Sequence, residues 1–135
     1  MKIFIICSKK FYYKIPDIKM ELEGMGHIIT LPNCFDDPNT EERYRNLGNE
    51  EHSKWKAEML KHSTDVIENN DAVLVLNFEK HEMKNYIGGA TFLEMYDAFR
   101  LNKKIYLYND IPDGILKDEI IGFNPILLNS DLNKI

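Results

Sequence analysis

The chain has 135 residues, 44% hydrophobic and 29% charged, the make-up of one globular domain with its own core. Its 17 basic against 22 acidic residues leave a net charge of −5. The basic side chains are scattered, which argues against a nucleic-acid polymer or an anionic membrane as main partner but leaves room for a pocket holding one phosphate.

Two cysteines, Cys7 and Cys34, make neither a disulfide framework nor a four-ligand zinc site. The N-terminal apolar run is too short for a signal peptide, and none approaches the roughly 20 residues of a membrane span. The expectation is a cytoplasmic protein.

Lys2 to Cys7 is a β-branched and aromatic run, suited to a strand buried on both faces. Ile15, Ile18, Leu22 and Met25 then recur as a helical stripe, with Pro16 near its front and Gly24 and Gly26 behind it. His27 to Pro32 reads as a second strand. Asn33 to Asn49 is the most polar stretch, where Asn39 and Glu42 have capping-box spacing around one short helical turn. A long helix follows from about Glu50 to Asn69, with Trp55, Met59, Ser63, Val66 and Ile67 on one face.

Ala72 to Leu76 is the strongest strand, introduced by Asp71, which the pattern assigns to tethering the strand start. A loop from Phe78 to Gly89 leads into a helix from Ala90 to about Leu101. Lys104 to Tyr108 is a strand, Leu116 to Ile120 a weak helix, and Pro125 to Leu128 a short last strand. The tail from Ser130 to Ile135 is polar enough to fray.

Alternating strands and helices predict a single doubly wound α/β domain, flavodoxin-like or Rossmann-like. Its sheet is mostly parallel, with four to five strands and helices on both faces. Ligands bind such sheets beyond the strands' carboxyl ends. Ser8, Asn77 and Asn109 and the loops after them are therefore the places to look.

The segment from Asn85 to Phe99 carries the most chemistry. Gly88 and Gly89 let backbone approach a ligand, and the helix behind them offers free N–H groups to an anion. Glu94 lies about one turn in, where the macrodipole favours its ionised form. Thr91, Glu94 and Asp97 share one side of the helix, while Phe92, Met95, Tyr96 and Phe99 are expected to pack on the sheet. An ionised carboxylate beside a glycine-lined sugar or phosphate site suits a nucleophile for glycosyl transfer.

Asn70 to Asp110 resembles the nucleoside 2-deoxyribosyltransferase superfamily, which includes nucleotide N-glycosidases. The resemblance is carried by Asp71-Ala72-Val73-Leu74-Val75-Leu76-Asn77, Gly88-Gly89, Glu94 with Ala98, and Asn102-Lys103-Lys104-Ile105. It implies that Glu94 attacks the anomeric carbon of a nucleoside or nucleoside 5′-monophosphate, and that the protein forms a homodimer or higher homo-oligomer. It implies no cofactor and no metal. Where the family places aspartates that bind and protonate the base, this chain has Ser63 near one position and Asn85-Tyr86 or Gly88 near the other.

Asp97 and Tyr86 are the candidates for a substitute proton donor. Ser8, Tyr12, Asn77, Gly88, Gly89 and Thr91 are the candidates for substrate binding, with Tyr13 a second aromatic able to stack on a base. Asn33 to Asn49 is the segment expected to close over the base. His81-Glu82 opens like a zinc-protease motif but lacks the second histidine, and His52 and His62 are not spaced as a ligand pair. Cys7 reads as a buried small hydrophobe. The alternative function is a non-catalytic nucleotide-binding or sensor module on the same scaffold.

Overall fold

In strand β1 (Lys2–Ile6) every residue after Lys2 is buried. A strand with no face left for water belongs inside a parallel sheet covered on both sides. The computed structural model, which describes residues 1–135, places β1 between β2 (Ile28–Thr30) and β3 (Ala72–Val75), with Phe4 opposite Thr30 on one side and Val73 on the other. Strands β4 (Lys104–Leu107) and β5 (Ile126–Leu127) complete a five-stranded, all-parallel sheet in the order β2-β1-β3-β4-β5. The doubly wound α/β fold read from the sequence is the fold observed, with strands trimmed by one or two residues at their ends.

Alternation along the strands divides the core in two. Ile3, Ile5 and Leu74 point to the face covered by helix α1 (Ile15–Gly24), against Ile15, Ile18 and Leu22. Phe4, Ile6, Val73 and Val75 point to the other face, covered by α3 (Asn49–Glu68), α4 (Gly89–Arg100) and α5 (Lys117–Phe123) through Ile67, Met95, Ala98 and Ile120. Each fully buried aliphatic side chain contributes about 1.5–3 kcal/mol. Asp71 tethers the sheet as expected, its Oδ2 accepting from the Lys2 N–H at 2.7 Å. No helix is long and apolar enough to cross a membrane.

Several local expectations are corrected. Met25 is the C-cap of α1 and is 38% exposed, so the buried stripe ends at Leu22. The polar stretch holds a full helix, α2 (Thr40–Leu47), of eight residues rather than one turn. The Asn39 side chain caps nothing there. Instead Thr40 Oγ1 donates to the Asp37 carbonyl at 2.7 Å, and Arg43 grips the Asp37 carboxylate with bonds of 3.0 and 2.7 Å. Gly48, at φ +124°, makes the reversal from α2 into α3.

On α4 only Met95 of the expected apolar set is buried; Thr91 and Ala98 join it, because these three lie on the sheet side. Phe92, Tyr96 and Phe99 gather around Phe123 of α5, and Tyr96 and Phe99 remain nearly half exposed. The C-terminal tail does not fray. Leu132, 3% exposed, packs on the α1 face and anchors a 3-10 turn.

Asn77 follows β3 and is fully buried. Its Nδ2 donates to the Asp110 carbonyl at 2.8 Å and its Oδ1 accepts from the Asn109 N–H at 2.8 Å, tying β3 to the loop after β4. Asn77→Ala removes both bonds, so unfolding in urea should show a loss of about 2 kcal/mol, roughly 1 kcal/mol for each hydrogen bond. An unchanged midpoint would mean that this bridge does not hold the loop.

Candidate active site

The chain leaves the sheet in opposite directions after β1 and β3, the point in such a fold where a crevice opens. Here the crevice is a cavity of about 300 Å³. Cys7 and Ser8 reach it from the end of β1, and Gly88, Gly89 and Thr91 from the start of α4. Helix α3 supplies Trp55, Lys56, Met59 and Ser63, and α2 supplies Glu41. The segment expected to cover the base contributes Asn33, Cys34 and Pro38 as well.

Glu94 faces this cavity from α4. Burial pushes its carboxyl from the ordinary 4.5 up to about 7; the Ser63 hydroxyl and the Lys56 ammonium pull it back, and Asp97 nearby adds to the rise. The sequence reading, in which the macrodipole keeps Glu94 ionised, is corrected on this point. The dipole fades beyond the first turn, and desolvation outweighs it here. Ser63 Oγ accepts from Asn33 Nδ2 at 2.7 Å, which leaves the hydroxyl proton free for the Glu94 carboxylate.

A tight turn shapes the opposite side. His81 and Glu82 both have positive φ, +50° and +62°, and Lys80 and Met83 exchange backbone hydrogen bonds of 3.0 and 2.9 Å across them. His81-Glu82 is thus a turn and not the start of a helix. The turn delivers Lys80, whose Nζ donates to Ser8 Oγ at 3.0 Å and lies 4.7 Å above the Tyr86 ring. The Tyr86 ring lies close over Gly88, where a Cβ would meet its hydroxyl oxygen at an ordinary 3.4 Å. Gly88 supplies no side-chain cap, and the N–H groups of Gly89, Ala90 and Thr91 find no acceptor in the protein. These orphan donors are suited to an anion or a sugar oxygen.

Of the expected site residues, Ser8, Tyr12, Tyr86, Gly88, Gly89, Thr91 and Glu94 share the cavity. Tyr12 also donates to the Asn33 carbonyl at 3.2 Å. Tyr13 is 75% exposed and apart from it. Asn77 does not line it, because its amide is committed to the β4 loop.

Asp97 is displaced as well. Residues three apart on a helix step back by about 60° each time, so Asp97 turns into a second groove between α3 and α4. There it accepts from Thr64 Oγ1 at 2.7 Å. Cys7 is pushed up to about 12 by burial and by Glu94, which keeps the thiol neutral and unreactive. No group of three or more His, Cys, Asp or Glu side chains is placed to hold a metal ion.

Sequence reasoning did not assign Glu41, Trp55, Lys56 or Lys80 to the site. One signal was present: Trp55, Met59 and Ser63 repeat every four residues, with the stripe flanked by Lys56 and ending on a hydroxyl. A wholly core-facing stripe has less reason to carry those groups.

A raised carboxyl pKa binds protons more tightly in the folded state than in the unfolded one. The associated stability is complete below about pH 4.5 and is lost as pH rises through about 7. Glu94→Gln should therefore match the wild type near pH 4.5 and exceed it by up to roughly 3 kcal/mol at pH 8. Chemical denaturation at the two pH values measures this; a pH-independent difference would contradict it.

No family model, no curated protein and no solved structure matches this chain.

Proposed function

We propose that the protein is an enzyme of the nucleoside 2-deoxyribosyltransferase type, cleaving or exchanging the N-glycosidic bond of a nucleoside or nucleoside 5′-monophosphate. One observation carries this reading. A partly desolvated carboxyl, Glu94, shares a cavity of about 300 Å³ with unpaired helix N–H groups and Lys80. That volume lies at the small end of ligand pockets and suits a nucleoside-sized molecule.

In the reaction, an ionised Glu94 oxygen attacks the anomeric carbon as the bond to the base nitrogen breaks, its electron pair leaving with the base. The base takes a proton, for which Tyr86 is the candidate hydroxyl and Lys56 one of the ammonium groups lining the cavity. The sugar is then released from Glu94 by water, giving hydrolysis, or by a second base, giving exchange. Desolvation near the reacting carbon makes the carboxylate a stronger nucleophile at the cost of its ionised fraction. Asp97 is held by Thr64 in the neighbouring groove, outside the cavity.

The test is incubation with a panel of deoxynucleosides and their 5′-monophosphates, with chromatography for free base, with and without a second base. Wild-type kcat/KM should climb as pH rises through about 7, following Glu94 ionisation, and Glu94→Gln should lose turnover with its fold intact. Base release undiminished in Glu94→Gln would falsify the assignment. Thermal stabilisation by a nucleotide with no base release would instead favour a binding or sensor module.

A further inference from the structure

Glu41 is the one other carboxylate on the cavity wall besides Glu94. Its two oxygens are in different situations. His52 Nε2 at 2.9 Å, Lys56 Nζ at 3.3 Å and Arg45 Nη2 at 3.5 Å all meet Oε2. Oε1 accepts no hydrogen bond from the protein. Burial alone would raise this carboxyl's pKa, yet His52, Lys56 and Arg45 together hold it below the ordinary range. Glu41 is thus a fixed, charged acceptor with one oxygen clamped and the other free. No buried side-chain oxygen of the protein lacks a partner, so this Oε1 is open to solvent and available to a ligand N–H in the cavity that Glu41 lines.

The neighbours narrow the ligand. The strand-end side of the cavity collects donors: Lys80, with Ser8 and the unpaired N–H groups at the start of α4. The α2–α3 side is built from Trp55, Met59 and Leu60, with Lys56 beside Glu41 and Ser63 bound to Asn33. Donors on one side suit the sugar-phosphate portion of a nucleotide. An apolar surface of Trp55, Met59 and Leu60 with an acceptor next to a donor at its rim suits the edge of its base.

We infer that the free oxygen of Glu41 reads an N–H at the edge of the nucleobase and selects amino-bearing bases over thymine or uracil. Cytosine, adenine and guanine each present an exocyclic amino donor, and in cytosine and adenine a ring-nitrogen acceptor adjoins it, in reach of a group such as Lys56. The N–H of thymine lies between two carbonyl oxygens, which a carboxylate repels. This rests on the nucleotide reading above and adds to it the class of base and the residue that selects it.

The experiment is calorimetric titration of dAMP, dCMP, dGMP and dTMP into wild-type protein and into Glu41→Gln. The amide of the variant keeps the shape but can also donate to a carbonyl. Wild type should bind the amino-bearing nucleotides at least about tenfold more tightly than dTMP, the discrimination of a charge-assisted hydrogen bond. Glu41→Gln should shrink that gap to roughly threefold or less.

An undiminished preference in Glu41→Gln, or equal wild-type affinity for dTMP, overturns the role of Glu41 while leaving the nucleotide reading in place. Failure of wild type to bind any of the four overturns both. The wild-type preference is a readout in itself, so the inference stays testable even if releasing His52, Lys56 and Arg45 from Glu41 unfolds the variant.

Discussion

The burial of β1 and β3 on both faces is the constraint on which the rest of the molecule depends. Phe4 and Ile6 satisfy one layer of helices, Ile3 and Ile5 the other. Neither strand can therefore sit at an exposed surface, the setting in which parallel sheets are found, and their neighbours join them in parallel. Parallel strands finish at a common edge, and the strand order β2-β1-β3-β4-β5 makes the chain depart in opposite directions from β1 and β3. Ser8, the Lys80 turn and the start of α4 meet at that edge because the sheet leaves them no other place. Asn77 and Asp71 secure it at opposite ends, one through the β4 loop and one through the Lys2 N–H.

The charges of the cavity form a coupled set. Lys56 is the cation shared between the two carboxylates: it lies 3.3 Å from Glu41 Oε2 and also lowers the pKa of Glu94. Glu41 has His52 and Arg45 in addition, whereas Glu94 has only the Ser63 hydroxyl beyond its part of Lys56. Burial lifts Glu94 above its usual range with little to offset it, whereas His52, Lys56 and Arg45 hold Glu41 below its own. Carboxyls separated in this way in one cavity can take different roles, which is the physical basis for assigning one to bond making and the other to recognition.

Much of the fold was legible because two periods alternate cleanly along the chain: continuous apolar runs such as Ala72 to Leu76 and helical stripes such as Ile15, Ile18 and Leu22. What was illegible had specific causes. The Phe92, Tyr96 and Phe99 face was read as core on composition, but Met95 and Ala98 already fill the sheet side of α4, and the larger rings turn to Phe123. Asn39 lost its cap to a competing arrangement of Thr40 and Arg43 on Asp37. The polar tail is held by buried Leu132, by Ile135 beside it and by the Ser130 N–H on the Tyr108 carbonyl, long-range contacts a local window does not register.

The site was half legible. Glu94, Gly88 and Gly89 stood out because chemistry and helix start coincide in sequence, whereas Glu41, Lys56 and Lys80 reach the cavity from three separate elements. Asn77 and Asp97 were placed by position along the chain, and hydrogen bonds to Asp110 and Thr64 took them elsewhere.

The central claim is that Glu94 is a carboxyl withdrawn from water and opening onto a ligand-sized cavity. Side-chain carboxyl NMR on protein carrying carbon-13 glutamate tests it directly by following each resonance through a pH titration. The account predicts one glutamate titrating near 7, far above the 4.5 of an ordinary one, assigned to Glu94 by its absence in the Glu94→Gln spectrum and displaced when a deoxynucleoside monophosphate is added. A Glu94 resonance titrating with the solvent-exposed glutamates, and unmoved by nucleotide, would contradict it.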